Sequence, residues 1–179
     1  SRRQFRGTQR ASKAVEEMLT GESFAELPRP QFAAIRDQLC GGLLTQLRST
    51  PVGMRIDQWI HDSIPSLREQ QRSSILGQLS ENALALSPQV TRQFPAGIVN
   101  RSGTMNIAFA AFWSALGGES AFVGPYLKHP NLTIARSLLA SLDSVDDAPG
   151  ADYKLVDDWA RKLDMVDWYI WVPFSLGVE

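Results

Sequence analysis

The residues able to do chemistry are few: His61, His129, Cys40, and the carboxylates Asp143, Asp146, Asp147 and Asp152 of one loop. Zinc hydrolysis needs three protein ligands and an open position, commonly two His four apart on a helix with a Glu between them. Two isolated histidines give no such site, and each reads as a surface or hydrogen-bonded histidine. Cys40 falls on an apolar helical stripe, where a thiol is inert. Gly-x-Ser-x-Gly, Gly-x-Gly-x-x-Gly and Gly-Lys-Ser/Thr do not occur, which removes the signatures of serine hydrolases, dinucleotide enzymes and nucleotide hydrolases. The loop carboxylates could hold Mg²⁺ or Ca²⁺, but their spacing does not match an EF-hand, and Asp, Pro and Gly are ordinary turn residues. The expectation is no catalytic residue, no metal and no cofactor within these residues.

Two stretches are better suited to binding. The first is Arg101, Ser102, Gly103 and Thr104, read as the entrance to a strongly apolar helix. Free amides and the positive dipole end at a helix start attract anions, and Arg101 could add a charged fork. The second is the run Trp168-Tyr169-Ile170-Trp171-Val172-Pro173-Phe174. Its Trp168, Tyr169, Trp171 and Phe174 are residue types that dominate interfaces, and the expectation is that they face a protein partner or another domain of the same parent chain.

The chain has 179 residues, 44% hydrophobic and 21% charged, with net charge −1, the composition of a globular domain with no overall attraction to polyanions. Charge is uneven, however: residues 1–142 carry +5 and residues 143–179 carry −6. Arg2, Arg3, Arg6, Arg10 and Lys13 form a basic arm before the first acid, Glu16. That arm could neutralise phosphates, but with no interleaved aromatics beyond Phe5 and no accompanying motif, nucleic acid is not the expected partner. A single cysteine excludes an internal disulfide and suits the cytoplasm. The longest uncharged stretch, 102–118, is diluted by Ser, Gly, Thr and Asn, so no membrane span is expected.

Apolar spacing predicts helices almost throughout. Thr8 should cap a helix to about Thr20, with Gly21 as a left-handed stop. Phe32, Ile35, Leu39, Leu43 and Leu47 predict a second, interrupted at Gly41-Gly42 because each glycine costs a helix about 1 kcal/mol relative to Ala. Thr50-Pro51 should open a third that buries Ile56 and Trp59 and stops at Pro65. A fourth runs over 66–86. Phe94 to Asn100 reads as extended chain, the one candidate strand. Then follow helices over 105–116, apolar all round and hence central, over 132–142 after Asn131, and over 152–163.

These readings give a mainly α single domain, residues 1–179, of about seven helices with at most one short strand and an aromatic tail over 164–179. It is expected to be a piece of a longer protein, serving as a helical interaction or ligand-binding module without a catalytic site of its own. The alternative is the helical lobe of a larger enzyme, a hydrolase for instance, whose main catalytic residues lie elsewhere.

Overall fold

The computed structural model describes residues 2–146 and 148–174, and the chain is mainly helical with one small antiparallel ribbon. Strand β1 (Arg3–Gly7) leads into α1 (Gln9–Met18), the short α2 (Glu22–Ala25) and the long α3 (Arg29–Ser63). A 3₁₀ turn joins α3 to α4 (Arg68–Ala85); α5 (Pro88–Thr91), α6 (Ala96–Gly117), α7 (Leu132–Asp143) and α8 (Ala151–Lys162) follow, and β2 (Tyr169–Pro173) ends the fold. Among the described residues no helix is long and apolar enough to cross a membrane.

Three local readings change. Helix α3 runs unbroken through Gly41-Gly42 and Pro51, 35 residues in all, or about 52 Å at 1.5 Å per residue. Cys40, Leu43, Leu47, Pro51 and Met54 are buried along it. The burial of this whole edge outweighs one missing backbone hydrogen bond at the proline and two glycine penalties. Its far end turns to solvent, so Ile56 and Trp59 are exposed at 53% and 61% rather than buried. Second, 94–100 is not a strand. Pro95 is the N-cap of α6, and the amides of Ile98 and Val99 already donate to its carbonyl at 3.0 and 3.1 Å. Proline at a helix entrance loses nothing, because that amide has no partner there in any case. Third, Gly21 precedes α2 with φ −73°, and α1 ends at Leu19 instead.

The strands lie at the two ends of the described chain. Arg3 pairs with Pro173, Phe5 with Trp171 and Gly7 with Tyr169. The ribbon sits close on α3: a Cβ at Gly7 would stand 2.8 Å from Leu44 Cδ1, so only glycine fits without displacing that leucine. Thr8 reinforces the closure, its hydroxyl donating to the Asp167 carbonyl at 2.6 Å and its amide to Trp168 O at 2.9 Å.

Helix α6 is the centre, as its all-round apolar sequence predicts. Residues 103–110 are buried without interruption, and α1, α3, α4 and α7 pack around it. Gly118 closes it in the left-handed conformation, φ 69°, where glycine carries no Cβ penalty. On the far side Trp159 of α8 is fully buried, and its indole donates to Leu138 O at 3.0 Å. Helix α8 ends on paired reverse bonds, Met165 N–H to Ala160 O and Asp164 N–H to Arg161 O, with Asp164 at φ 56°, the arrangement that satisfies the last carbonyls of a helix. Phe109 and Phe112 contribute to this centre at 6% and 5% exposure. Replacing either by Ala should cost about 3–5 kcal/mol in denaturant titration; a loss below about 1 kcal/mol at both sites would place α6 at the periphery.

Candidate functional site

The aromatic tail makes one wall of a groove, and the ribbon explains how. Alternation puts Arg3, Phe5 and Gly7 on one face of β1 opposite Tyr169, Trp171 and Pro173 of β2. Phe5 stacks on Tyr169 at 4.4 Å and meets Trp171 edge-on at 5.2 Å. Tyr153 of α8 meets Trp171 at 4.7 Å, and the Arg3 guanidinium lies over the Tyr153 ring at 5.5 Å. One carboxylate anchors the wall from behind: Asp157 Oδ1 accepts from the Tyr169 hydroxyl at 2.5 Å and the Trp171 indole at 2.8 Å. Burial, aided by the neighbouring Asp157, pushes the Tyr169 phenol far above its ordinary range.

The floor is α3. A groove of about 680 Å³ runs from the ribbon over Gly41, Thr45, Ser49 and Gly53, flanked by Leu44 and Val52. Small residues at four-residue steps lie on one helical face, so the floor is low. A Cβ added at Gly41, Gly42 or Gly53 would meet nothing within 4 Å. Packing within the fold therefore does not require glycine at these positions, although each weakens the helix. The charge lining the groove is positive. Asp152 is held by Arg55 at 2.7 Å, whereas Arg3 and Arg48 form no ion pair with any described residue.

Other candidates sit differently from their sequence reading. Arg101, Ser102, Gly103 and Thr104 lie within α6, more than a turn past its start at Ala96, so the free amides expected there are absent. Arg101 is turned inward, donating to Gly97 O at 3.1 Å and to Asp164 Oδ2 at 3.3 Å, with its guanidinium 5.3 Å from the Trp168 ring centre. Burial lowers its pKa, with Asp164 opposing. The tail divides: Trp168 and Tyr169 are buried at 5% and 7%, Trp171 is half-buried, and Phe174 is 52% exposed. The first two complete the core. The basic arm is partly used internally, Arg10 pairing with Asp167 at 2.5 Å.

Burial pushes the Cys40 thiol up, in keeping with an unreactive cysteine. His61 lies beside Asp62, and His129 Nδ1 accepts from the Asn131 amide at 3.1 Å. Arg55 donates to the Asp152 carboxylate and to the Asp146 backbone carbonyl, the Asp146 carboxylate accepts from the Ala148 amide, and Asp147 and residues 175–179 lie outside the described residues. Among the described residues no three His, Cys, Asp or Glu side chains are grouped to hold a metal.

No family model, curated protein or solved structure matches the chain.

Sequence reasoning missed the groove because its walls come from both ends of the chain. Its available signal was Gly41, Thr45, Ser49 and Gly53 at a fixed four-residue step, which a search for apolar stripes passes over. Two outcomes follow. Gly41→Ala and Gly53→Ala should each stabilise the protein by about 0.5–1 kcal/mol in urea titration, since the helix gains and no contact is lost; a loss at either would reveal a neighbour that needs the glycine. The Tyr169 phenol ionises near pH 10 when unfolded and only well above that when folded. Its contribution is therefore complete below pH 10 and lost as pH rises toward the folded value. Tyr169→Phe should make the alkaline decline of unfolding free energy shallower by about 1.4 kcal/mol per pH unit above pH 10, and an unchanged slope would place that hydroxyl in water.

Proposed function

We propose that this chain is a helical interaction module whose groove between the ribbon and α3 holds an acidic peptide segment bearing an apolar side chain, from a partner protein or another domain of its parent. The observation that carries this reading is the pair of helical glycines, Gly41 and Gly53, bordering an open groove with no neighbour of their own. Bare helix backbone lets another chain approach closely. Gly41 to Gly53 covers about 18 Å of helix, the length of five or six extended residues at about 3.3 Å each.

Charge narrows the class. Arg3 and Arg48 stand at the groove without carboxylate partners, which favours an acidic occupant over a basic one. Phe5, Tyr153 and Trp171 offer aromatic surface to an apolar side chain, and the exposed Ile56 and Trp59 extend the apolar edge along α3. The buried single cysteine suits a reducing, cytoplasmic setting for such a module.

Selection of random twelve-residue peptides against the protein tests this directly. Enriched peptides should carry Asp or Glu around an aromatic or aliphatic residue and should bind more weakly as salt rises. Gly41→Leu combined with Gly53→Leu should weaken them at least about tenfold while thermal melting shows the fold intact. Enrichment of basic sequences, or binding indifferent to the two leucines, would overturn the proposal.

A further inference from the structure

We infer that the cleft between α3, α4 and α6, which adjoins the groove along Gly41, Thr45 and Ser49 of α3, binds a small uncharged amphiphile with a carboxamide-like head on a short alkyl chain. Among the described residues three polar ones are buried: Thr104, Asn106 and Ser141, at 2%, 8% and 5% exposure. Two of them are satisfied within the protein. The Thr104 hydroxyl donates to Asn100 O at 2.6 Å, and Ser141 is held among Ser137, Asp158 and Lys162.

Asn106 differs. Its Oδ1 accepts from Gln46 Nε2 at 2.6 Å, and the same Nε2 donates to Ser102 O at 3.2 Å. A backbone carbonyl can only accept, which sets the Gln46 amide and through it the Asn106 amide. Asn106 Nδ2 and Gln46 Oε1 are left without partners among the described residues. Both residues line a cleft of about 590 Å³ whose other walls include Thr45, Thr50, Gln78 and Asn82. One donor and one acceptor thus stand together, the donor on an asparagine that is only 8% exposed. Both atoms open onto the cleft, so a ligand that displaces water there must bring an acceptor and a donor of its own.

The cleft continues into an apolar pit of about 180 Å³ bounded by Leu39, Leu86, Val90, Phe94 and Ile98, with Ala85, Ser102 and Asn106 common to both. The head of a ligand would meet the amides at the point where its chain enters the pit. A carboxamide supplies an acceptor to Asn106 Nδ2 and a donor to Gln46 Oε1. A carboxylate has no proton for Gln46 Oε1 and would share the cleft with Glu81, while an ammonium gives Asn106 Nδ2 nothing to donate to.

Hexanamide, with hexanoate and hexylamine as comparisons, provides the test by two-dimensional NMR. Hexanamide should shift the side-chain amides of Asn106 and Gln46 and the backbone amides of Leu86 and Val90 in one saturable process, with both charged analogues at least about tenfold weaker. Asn106→Leu should weaken hexanamide at least about fivefold. Ala85→Phe, an exposed position at the mouth of the pit, should block it with the rest of the spectrum preserved. Gly53→Leu, in the groove but outside this cleft, should leave it unchanged. Absence of saturable shifts at these resonances in the folded protein, equal affinity for hexanoate, or binding indifferent to both Asn106→Leu and Ala85→Phe would overturn the inference.

Discussion

The pairing of Arg3–Gly7 with Tyr169–Pro173 is the constraint on which the rest depends, because it joins the two ends of the described chain over the long helix. Joining residues so far apart carries a large loop-closure cost, and the ribbon alone cannot meet it, since an isolated two-stranded hairpin is marginal in water. What meets it is burial behind the strands: Met165, Trp168 and Tyr169 enter the same core as Ala11 and Val15 of α1 and Leu19 just after it. The basic arm and the acidic tail do attract one another, but Arg10 and Asp167 are both mostly exposed, and such pairs contribute little. Apolar burial closes the chain, and the backbone ladder of the ribbon holds its register.

That closure explains why the tail is only partly available to anything else. A fully exposed Trp forgoes about 1.5–3 kcal/mol of burial, so the cluster at residues 168–174 had to find a surface. Alternation divides it, leaving Ile170 on the solvent face at 50% exposure while Tyr169 and Trp171 turn toward α3 and α8. The tail then contributes a wall to the groove rather than a free hydrophobic arm. Arg101 belongs to the same closure: its guanidinium links α6 to the turn at Asp164 and covers Trp168.

The parts legible in the sequence are those where one local signal agrees with packing. Helices α7 and α8 lie within a residue or so of their predicted ends, since each combines a periodic apolar stripe with turn residues before it. The centrality of α6 was legible from Ile107, Phe109, Phe112 and Trp113 spread around its circumference, although its start was not, because Pro95 and Gly97 look the same before a strand and at a helix entrance. Pro51 misled for a related reason: its penalty is local, whereas the burial of Leu47, Pro51 and Met54 that overrides it is tertiary. Strand β1 carries a single apolar residue, Phe5, in Arg-Gln-Phe-Arg-Gly, and an edge strand so polar leaves no period to detect. Asn106 was hidden by its own helix, since nothing local distinguishes a buried asparagine with spare donors from one fully paired.

Helix α3 carries the consequence for function. Gly41, Thr45 and Ser49 border both the aromatic groove and the polar cleft, so one low ridge is all that separates them. The two depressions nevertheless differ in chemistry. The groove has unpaired arginines and aromatic rings, while the cleft has neutral amides and hydroxyls around Glu81. An occupant suited to one therefore meets the wrong partners in the other: an acidic segment crossing the ridge would approach Glu81, and a neutral head moving into the groove would leave Asn106 unpaired. Larger side chains on the ridge would deepen the separation and strengthen the helix together. Gly41 stands there with a helix penalty that no packing contact within the fold requires, and on that ground this face of α3 is the one we propose as the working surface of the molecule.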